Sequence, residues 1–157
     1  MIVIGPGSLF SSIIPNLLVR EIRDAVRAST APKVYICNVM TQPNETLGFR
    51  NASDHLKALI QHAGPNIVDY MLLNRRRPSE DLVRKYLEEG AEFVQPDVTA
   101  VERLGVRALL EDLITEEEVV RHDSHALGCT IFRILEGARH LTRVPSRKET
   151  EQAQAAA

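Results

Sequence analysis

The sequence predicts an α/β fold in which helices flank a parallel sheet. Short runs rich in β-branched residues recur along the chain, and each is followed by a segment in which apolar residues repeat with helical spacing. This alternation is typical of parallel strands joined by helical crossovers. The chain has 157 residues, of which 44% are hydrophobic, which is enough for one domain with its own core.

The elements follow from these periodicities. The predicted strands cover residues 2–4, 34–39, 67–73, 93–94 and 106–110. The predicted helices cover residues 21–29, 54–63, 79–89 and 123–135, with Ser53 as the candidate N-cap of the second and Gly90 as the end of the third. We assign residues 1–137 to the α/β domain and expect residues 138–157 to form a polar, partly disordered tail.

Composition excludes several classes of protein. The formal net charge is −2, so no overall positive field attracts nucleic acid or an anionic membrane. No apolar run is long enough to span a membrane, and the chain start lacks the basic flank of a signal peptide. The two cysteines are far apart, and the five histidines show no metal-ligand spacing. We therefore expect a cytoplasmic protein with no metal site and no nucleic-acid or membrane partner.

A Gly/Ser-rich turn follows the first predicted strand. Gly5, Pro6, Gly7 and Ser8 stand between that strand and a helical stretch, where backbone N–H groups can point at an anion. The glycines permit close approach of a ligand, and the hydroxyls of Ser8 and Ser12 can donate to phosphate oxygens. A plain strand-to-helix turn with a serine cap explains the same spacing equally well.

Two further polar segments are candidate binding elements. The loop after the second strand carries Asn38, Thr41, Gln42 and Glu45, whose donors and acceptors suit hydroxyl and amide groups; a loop held by turn chemistry is the alternative. Arg121 and His122 precede the last helix, where the arginine can clamp a diphosphate and the histidine can donate to one. Solvated side chains are the alternative for that pair. We expect the next residue, Asp123, to cap the helix.

Together these segments resemble the gluconeogenesis-factor (YvcK) family, which is similar in turn to the CofD 2-phospho-L-lactate transferases. The matching stretches are residues 4–13 (IGPGSLFSSI), 15–18 (PNLL), 38–46 (NVMTQPNET) and 120–123 (VRHD). The resemblance implies a Rossmann-like, mostly parallel sheet and a nucleotide-sugar ligand of the UDP-N-acetylglucosamine type. Asn44 stands where the family usually has glycine, and asparagine tolerates a left-handed backbone.

The resemblance also implies a role and its alternatives. One branch of the family regulates carbon metabolism and cell shape without catalysis, whereas the transferase branch moves a phospholactyl group from a nucleotide diphosphate donor with Mg²⁺. Family members carry a glycine-rich strand-turn and about half of their polypeptide before the loop at residues 5–8. We therefore expect this chain to correspond to the C-terminal part of such a protein. Its partner is then an N-terminal half or a second copy, and an inactive fragment is a further alternative.

Overall fold

The computed structural model describes the backbone of residues 1–142 and the side chains of residues 1–137. A π-helical turn at Leu9–Ile13 runs directly into the first α-helix. The strands are β1 (Ile2–Ile4), β2 (Lys33–Ile36), β3 (Tyr70–Asn74), β4 (Arg107–Glu111), β5 (Ile114–Glu116) and β6 (Val120–His122). The α-helices are α1 (Ile14–Leu18), α2 (Arg20–Ala28), α3 (Ala52–Ala63), α4 (Glu80–Glu88), α5 (Val98–Arg103) and α6 (Ser124–Thr142).

The predicted parallel α/β fold is confirmed. β1 to β4 form one parallel sheet in the order β1-β2-β3-β4, with Val34 opposite Tyr70 and Leu72 opposite Leu109. All four residues of β2 are buried, as expected for an inner strand covered on both faces. This explains why the inner strands show continuous apolar runs and not a polar alternation.

Each face of the sheet has its own apolar cluster. On one face, Tyr35 and Met71 pack with Leu17 of α1, Leu56 of α3 and Val101 of α5. The opposite face is covered by α6. There the cluster contains Val34, Ile36, Leu72, Leu113, Leu127 and Ile134. Successive strand residues point to opposite faces, so the pleat assigns neighbours such as Val34 and Tyr35 to different clusters.

The prediction of a strand at residues 93–94 is wrong. Phe93 forms only an isolated bridge with Met40, and Val94 N–H donates to the carbonyl of Val39 at 2.9 Å. Both side chains are buried, so their hydrophobicity reflects packing beneath a loop and not membership of the sheet. The predicted strand at residues 67–73 begins later, at Tyr70, because Ile67 and Val68 are buried in the turn that precedes it.

Several helix ends also differ from the prediction. Asn51, not Ser53, is the N-cap of α3, and its N–H donates to the Asp54 carboxylate at 3.3 Å. Ser53 donates instead to Asp97 through both its N–H and its hydroxyl, at 2.9 and 2.6 Å. α6 continues to Thr142, past the predicted end at residue 135. The predicted tail is therefore helical at residues 138–142, and residues 143–157 lie outside the described part.

None of the described helices is long and apolar enough to cross a membrane.

Candidate functional site

A cavity of about 460 Å³ lies beyond the carboxyl ends of β1 and β2, beside the β5–β6 hairpin. This is the edge at which open parallel sheets bind ligands. Eight of the eleven residues predicted as ligand-binding line this cavity. Its lining residues are Pro6, Gly7, Ser8, Asn38, Val39, Met40, Thr41, Gln42, Tyr86, Val120, Arg121 and His122.

The turn at residues 5–8 forms one wall. Gly5 has a φ of +85°, and a Cβ there would lie 3.3 Å from the carbonyl oxygen of Ile36, so the turn passes close to the end of β2. The Ser8 carbonyl accepts from Ser12 N–H and Ile13 N–H, both at 3.0 Å. The Ser8 hydroxyl makes no capping hydrogen bond. The Ser8 side chain therefore does not cap the helix, which was the alternative interpretation of this turn.

The loop at residues 38–46 forms the second wall, and much of it is held by turn chemistry. Thr41 exchanges hydrogen bonds with the backbone of Glu92, through its N–H at 2.7 Å and through its hydroxyl oxygen at 2.8 Å. Gln42 N–H donates to the Thr46 hydroxyl at 2.7 Å, and Thr46 is fully buried. The Gln42 amide then reaches across to donate from Nε2 to Ser8 Oγ at 2.7 Å. The loop is therefore both internally braced and tied to the first wall.

Three predicted residues do not line the cavity. Gly5 and Ser12 line a neighbouring groove along β1, which shares Pro6 and Gly7 with the cavity. Glu45 lies outside both, and its Oε2 is buried without a hydrogen-bond partner among the described residues. The sequence could not separate these residues from their neighbours, because side-chain direction within an irregular loop depends on its tertiary contacts.

Arg121 and His122 reach the cavity from β6. Arg121 is exposed and forms no ion pair with the residues that the structure describes. Burial lowers the pKa of His122 below its ordinary value, against a smaller opposing contribution from the Leu113 carbonyl. The imidazole is therefore neutral at neutral pH, and its Nδ1 is buried without a hydrogen-bond partner among the described residues. Asp123 caps α6 as predicted, since its Oδ1 accepts from His125 N–H at 2.9 Å and Ala126 N–H at 3.0 Å.

Tyr86 is a lining residue that the sequence did not single out as part of a site. Its helical spacing with Leu82 and Val83 predicts that it lies on the buried face of the helix at residues 79–89, and it does pack with an apolar cluster that includes Met40 and Phe93. Its hydroxyl accepts from Val120 N–H at 3.2 Å, so it also braces β6. The one signal in the sequence that could have identified Tyr86 was its position on an otherwise apolar helix face. A buried phenol usually has a polar partner, so a tyrosine there indicates a nearby polar group.

The three arginines at residues 75–77 make contacts within the chain. Arg76 Nε donates to Asp112 at 3.0 Å and Arg76 Nη1 to Glu116 at 3.2 Å, which ties the chain after β3 to the hairpin. Arg77 lies 3.5 Å from Glu80 and 5.8 Å from the ring centroid of Phe93.

Among the described residues, no group of three histidine, cysteine or acidic side chains is arranged to hold a metal ion.

Known proteins resemble this chain over most of its length. A family model described as "2-phospho-L-lactate transferase CofD" matches residues 1–114. A Bacillus subtilis protein named gluconeogenesis factor is 43% identical over 136 residues, covering 86% of this chain and 43% of that protein. A Halalkalibacterium halodurans protein of the same name is 47% identical over 133 residues, covering 84% of this chain and 41% of that protein.

Solved structures agree with the sequence comparison. A crystal structure of a Bacillus halodurans protein, described as a member of the UPF0052 family, is 45% identical with a TM-score of 0.79. It covers 83% of this chain and 41% of that chain. The present chain thus spans about two fifths of the length of the relatives it matches. Because the family model covers well over half of it, the chain belongs to the CofD family.

Proposed function

We propose that the cavity binds a nucleotide sugar of the UDP-N-acetylglucosamine type, and that the chain belongs to a non-catalytic regulator of carbon metabolism and cell shape. The link to carbon metabolism is drawn from relatives named gluconeogenesis factor, and the non-catalytic role and the link to cell shape are what the family resemblance implies. The activity of the whole protein is part of the proposal, because the chain spans about two fifths of those relatives.

One observation carries the ligand class. Arg121 and Ser8 reach the same cavity from separate walls, and the guanidinium has no carboxylate partner among the described residues. A guanidinium and a hydroxyl are the groups that recognise phosphate oxygens. Because the chain as a whole is slightly acidic, this attraction for anions is local to the cavity.

The rest of the lining suits a sugar or a base. The amides of Asn38 and Gln42 and the Tyr86 hydroxyl offer donors and acceptors, while Val39 and Met40 provide an apolar surface for a ring face. The volume of about 460 Å³ falls within the usual range for small-molecule pockets.

Calorimetric titration of the purified chain with UDP-N-acetylglucosamine tests the proposal. We expect saturable heat, and we expect Arg121→Ala to lower the affinity by roughly tenfold to a hundredfold, as the loss of a charge-assisted hydrogen bond does. Arg84→Ala is the matched control, because Arg84 is exposed on α4 and does not line the cavity. Equal binding by Arg121→Ala and the unmodified chain would contradict the proposed site.

A CofD-type 2-phospho-L-lactate transferase is the second candidate, and the family-model match favours it. In that reaction the same walls would hold a nucleotide diphosphate, and Mg²⁺ would neutralise phosphate charge. Parallel titrations with GDP, with and without Mg²⁺, separate the two candidates. Heat with GDP and none with the sugar nucleotide supports the transferase. A folded sample that binds neither ligand would leave the chain inactive on its own.

A further inference from the structure

The most specific polar contact in the cavity joins its two loop walls. Gln42 Nε2 donates to Ser8 Oγ at 2.7 Å, and the two residues are 34 positions apart in the chain. Both residues line the cavity. We propose that Gln42 is a positioning and specificity residue, which orients the Ser8 hydroxyl towards a ligand diphosphate and requires a hydrogen-bond donor on the same ligand. This inference rests on the proposed function and deepens it.

The direction of the contact determines the role of Ser8. The amide nitrogen of glutamine can only donate, so Ser8 Oγ is the acceptor in this pair. The Ser8 hydroxyl proton is then not used by Gln42. It is not used at the helix start either, since Ser8 makes no capping hydrogen bond. The proton can therefore point into the cavity, where a phosphate oxygen would accept it.

The other end of the same amide determines the second requirement. Gln42 Oε1 is buried and has no hydrogen-bond partner among the described residues. A buried carbonyl oxygen without a donor is unfavourable, and Gln42 lines the cavity, so a ligand whose N–H or O–H group reaches this oxygen is favoured. A sugar carries several such groups beyond its diphosphate. In the proposed complex the sugar lies beside Gln42 and the nucleoside, with its own ribose and base donors, lies on the far side of the diphosphate, so that the pair favours a nucleotide sugar over a nucleoside diphosphate alone.

The backbone of Gln42 gives this amide little freedom to turn away. Its N–H donates to Thr46 Oγ1 at 2.7 Å, and its carbonyl accepts from Thr46 N–H at 2.9 Å. Thr46 is fully buried, and the preceding residue, Thr41, is held by Glu92. A residue whose main chain is held in this way loses less conformational entropy on binding.

The test is a double-mutant cycle of Ser8→Ala and Gln42→Leu, with UDP-N-acetylglucosamine and UDP as ligands and calorimetric affinity as the readout. We expect each single variant to bind the sugar nucleotide roughly tenfold or more weakly. The double variant should bind the sugar nucleotide only slightly more weakly than the single variant with the lower affinity, because Gln42 acts partly through Ser8. The preference for the sugar nucleotide over UDP should narrow in Gln42→Leu and persist in Ser8→Ala.

Gln42→Glu separates this role from simple bracing of the loops. Glutamate retains the shape but accepts from Ser8, so it withdraws the hydroxyl proton from the ligand and adds a negative charge. Binding should fall below that of Gln42→Leu while the thermal midpoint stays close to that of the unmodified chain. Ser11→Ala and Gln61→Leu are the controls, because both residues are exposed and neither lines the cavity.

The outcomes are distinguishable. If the unmodified chain binds the sugar nucleotide and Gln42→Glu binds it equally well, the inference is overturned and the proposed function stands. Strictly additive losses in the cycle overturn it as well. If the unmodified chain binds neither UDP-N-acetylglucosamine nor UDP, the proposed function and this inference fail together.

Discussion

Burial determines the protonation of individual histidines in this fold. His55 is fully buried on α3, and its Nε2 lies 3.2 Å from the carbonyl oxygen of Phe49. Its ring meets the Phe49 ring edge-on, with centroids 5.6 Å apart. Burial lowers the pKa of His55, and the Phe49 carbonyl and the charge of Asp54 oppose that shift without cancelling it. The folded protein therefore holds this side chain neutral at a pH where the unfolded chain begins to protonate it.

The consequence is a loss of stability in mild acid. Below about pH 6.5, the unperturbed value for histidine, the unfolded state binds more protons at His55 than the folded state does, so the free energy of unfolding falls as the pH falls. His122, whose pKa is also lowered by burial, acts in the same direction. Each group adds a slope of at most about 1.4 kcal/mol per pH unit.

Urea denaturation between pH 7.5 and pH 5.5 measures this slope. His55→Gln should flatten it, whereas Gln61→Leu, at an exposed position on the same helix, should leave it unchanged. A stability that is constant over this range would contradict the assignment. The lowered pKa values of Asp54 and Glu116 act in the same sense but at lower pH, around and below their ordinary values of 3.8 and 4.5.

At the scale of elements, the β5–β6 hairpin positions Arg121 and His122, two of the seven polar side chains that line the cavity. Each of its strands has three residues, and an isolated hairpin of that size is marginal in water. Side chains from the preceding segments hold it. Arg76 binds Asp112 and Glu116, Lys85 Nζ donates to the Glu118 carbonyl at 2.9 Å, and Tyr86 braces Val120. The placement of Arg121 thus depends on contacts outside the cavity.

We therefore expect Arg76→Ala to weaken ligand binding although Arg76 does not line the cavity. Loss of its hydrogen bonds should increase the motion of the hairpin and lower the affinity by a few-fold, a change of about 1 kcal/mol. The core clusters do not include this side chain, so the thermal midpoint should fall only slightly. Arg84→Ala again serves as the control, and an unchanged affinity in Arg76→Ala would contradict the coupling.

At the scale of the whole molecule, the β1 edge of the sheet is open and has exposed apolar side chains beside it. Within the described residues, β1 pairs only with β2, so its other side has no strand neighbour. Val3 and Ile22, which line the groove along this edge, are exposed. The groove beside them, about 390 Å³, adjoins the candidate ligand cavity through Pro6 and Gly7. Open strands with apolar surroundings are common sites of association.

We expect the chain to self-associate through this edge. Sedimentation velocity should show an average mass that rises with concentration, and Ile22→Lys should reduce the association by placing a charge on α2 beside β1. Phe132→Lys, at an exposed apolar position on α6, is the matched control. A strictly monomeric chain at high concentration would contradict the expectation. So would equal association by both variants.

The sequence by itself determined the fold class and three of the segments that line the cavity. Strand and helix periodicities are local properties, so the parallel α/β alternation was readable from neighbouring residues. The carboxyl ends of parallel strands meet at one edge, which brings the loops that contain Ser8 and Gln42 together without further information.

Only the tertiary structure decided how these parts are used. Contacts between distant segments bury residues 93–94 beneath a loop. Such contacts also determine the position of the hairpin that carries Arg121 and of Tyr86 beside it. The Ser8 hydroxyl is the clearest case. Local spacing allowed either a helix cap or a ligand contact for it, but in the structure an amide 34 residues away bonds that hydroxyl. The spacing of residues in the sequence does not predict such partners, because a hydrogen bond forms only between groups that the packed fold brings within about 3 Å.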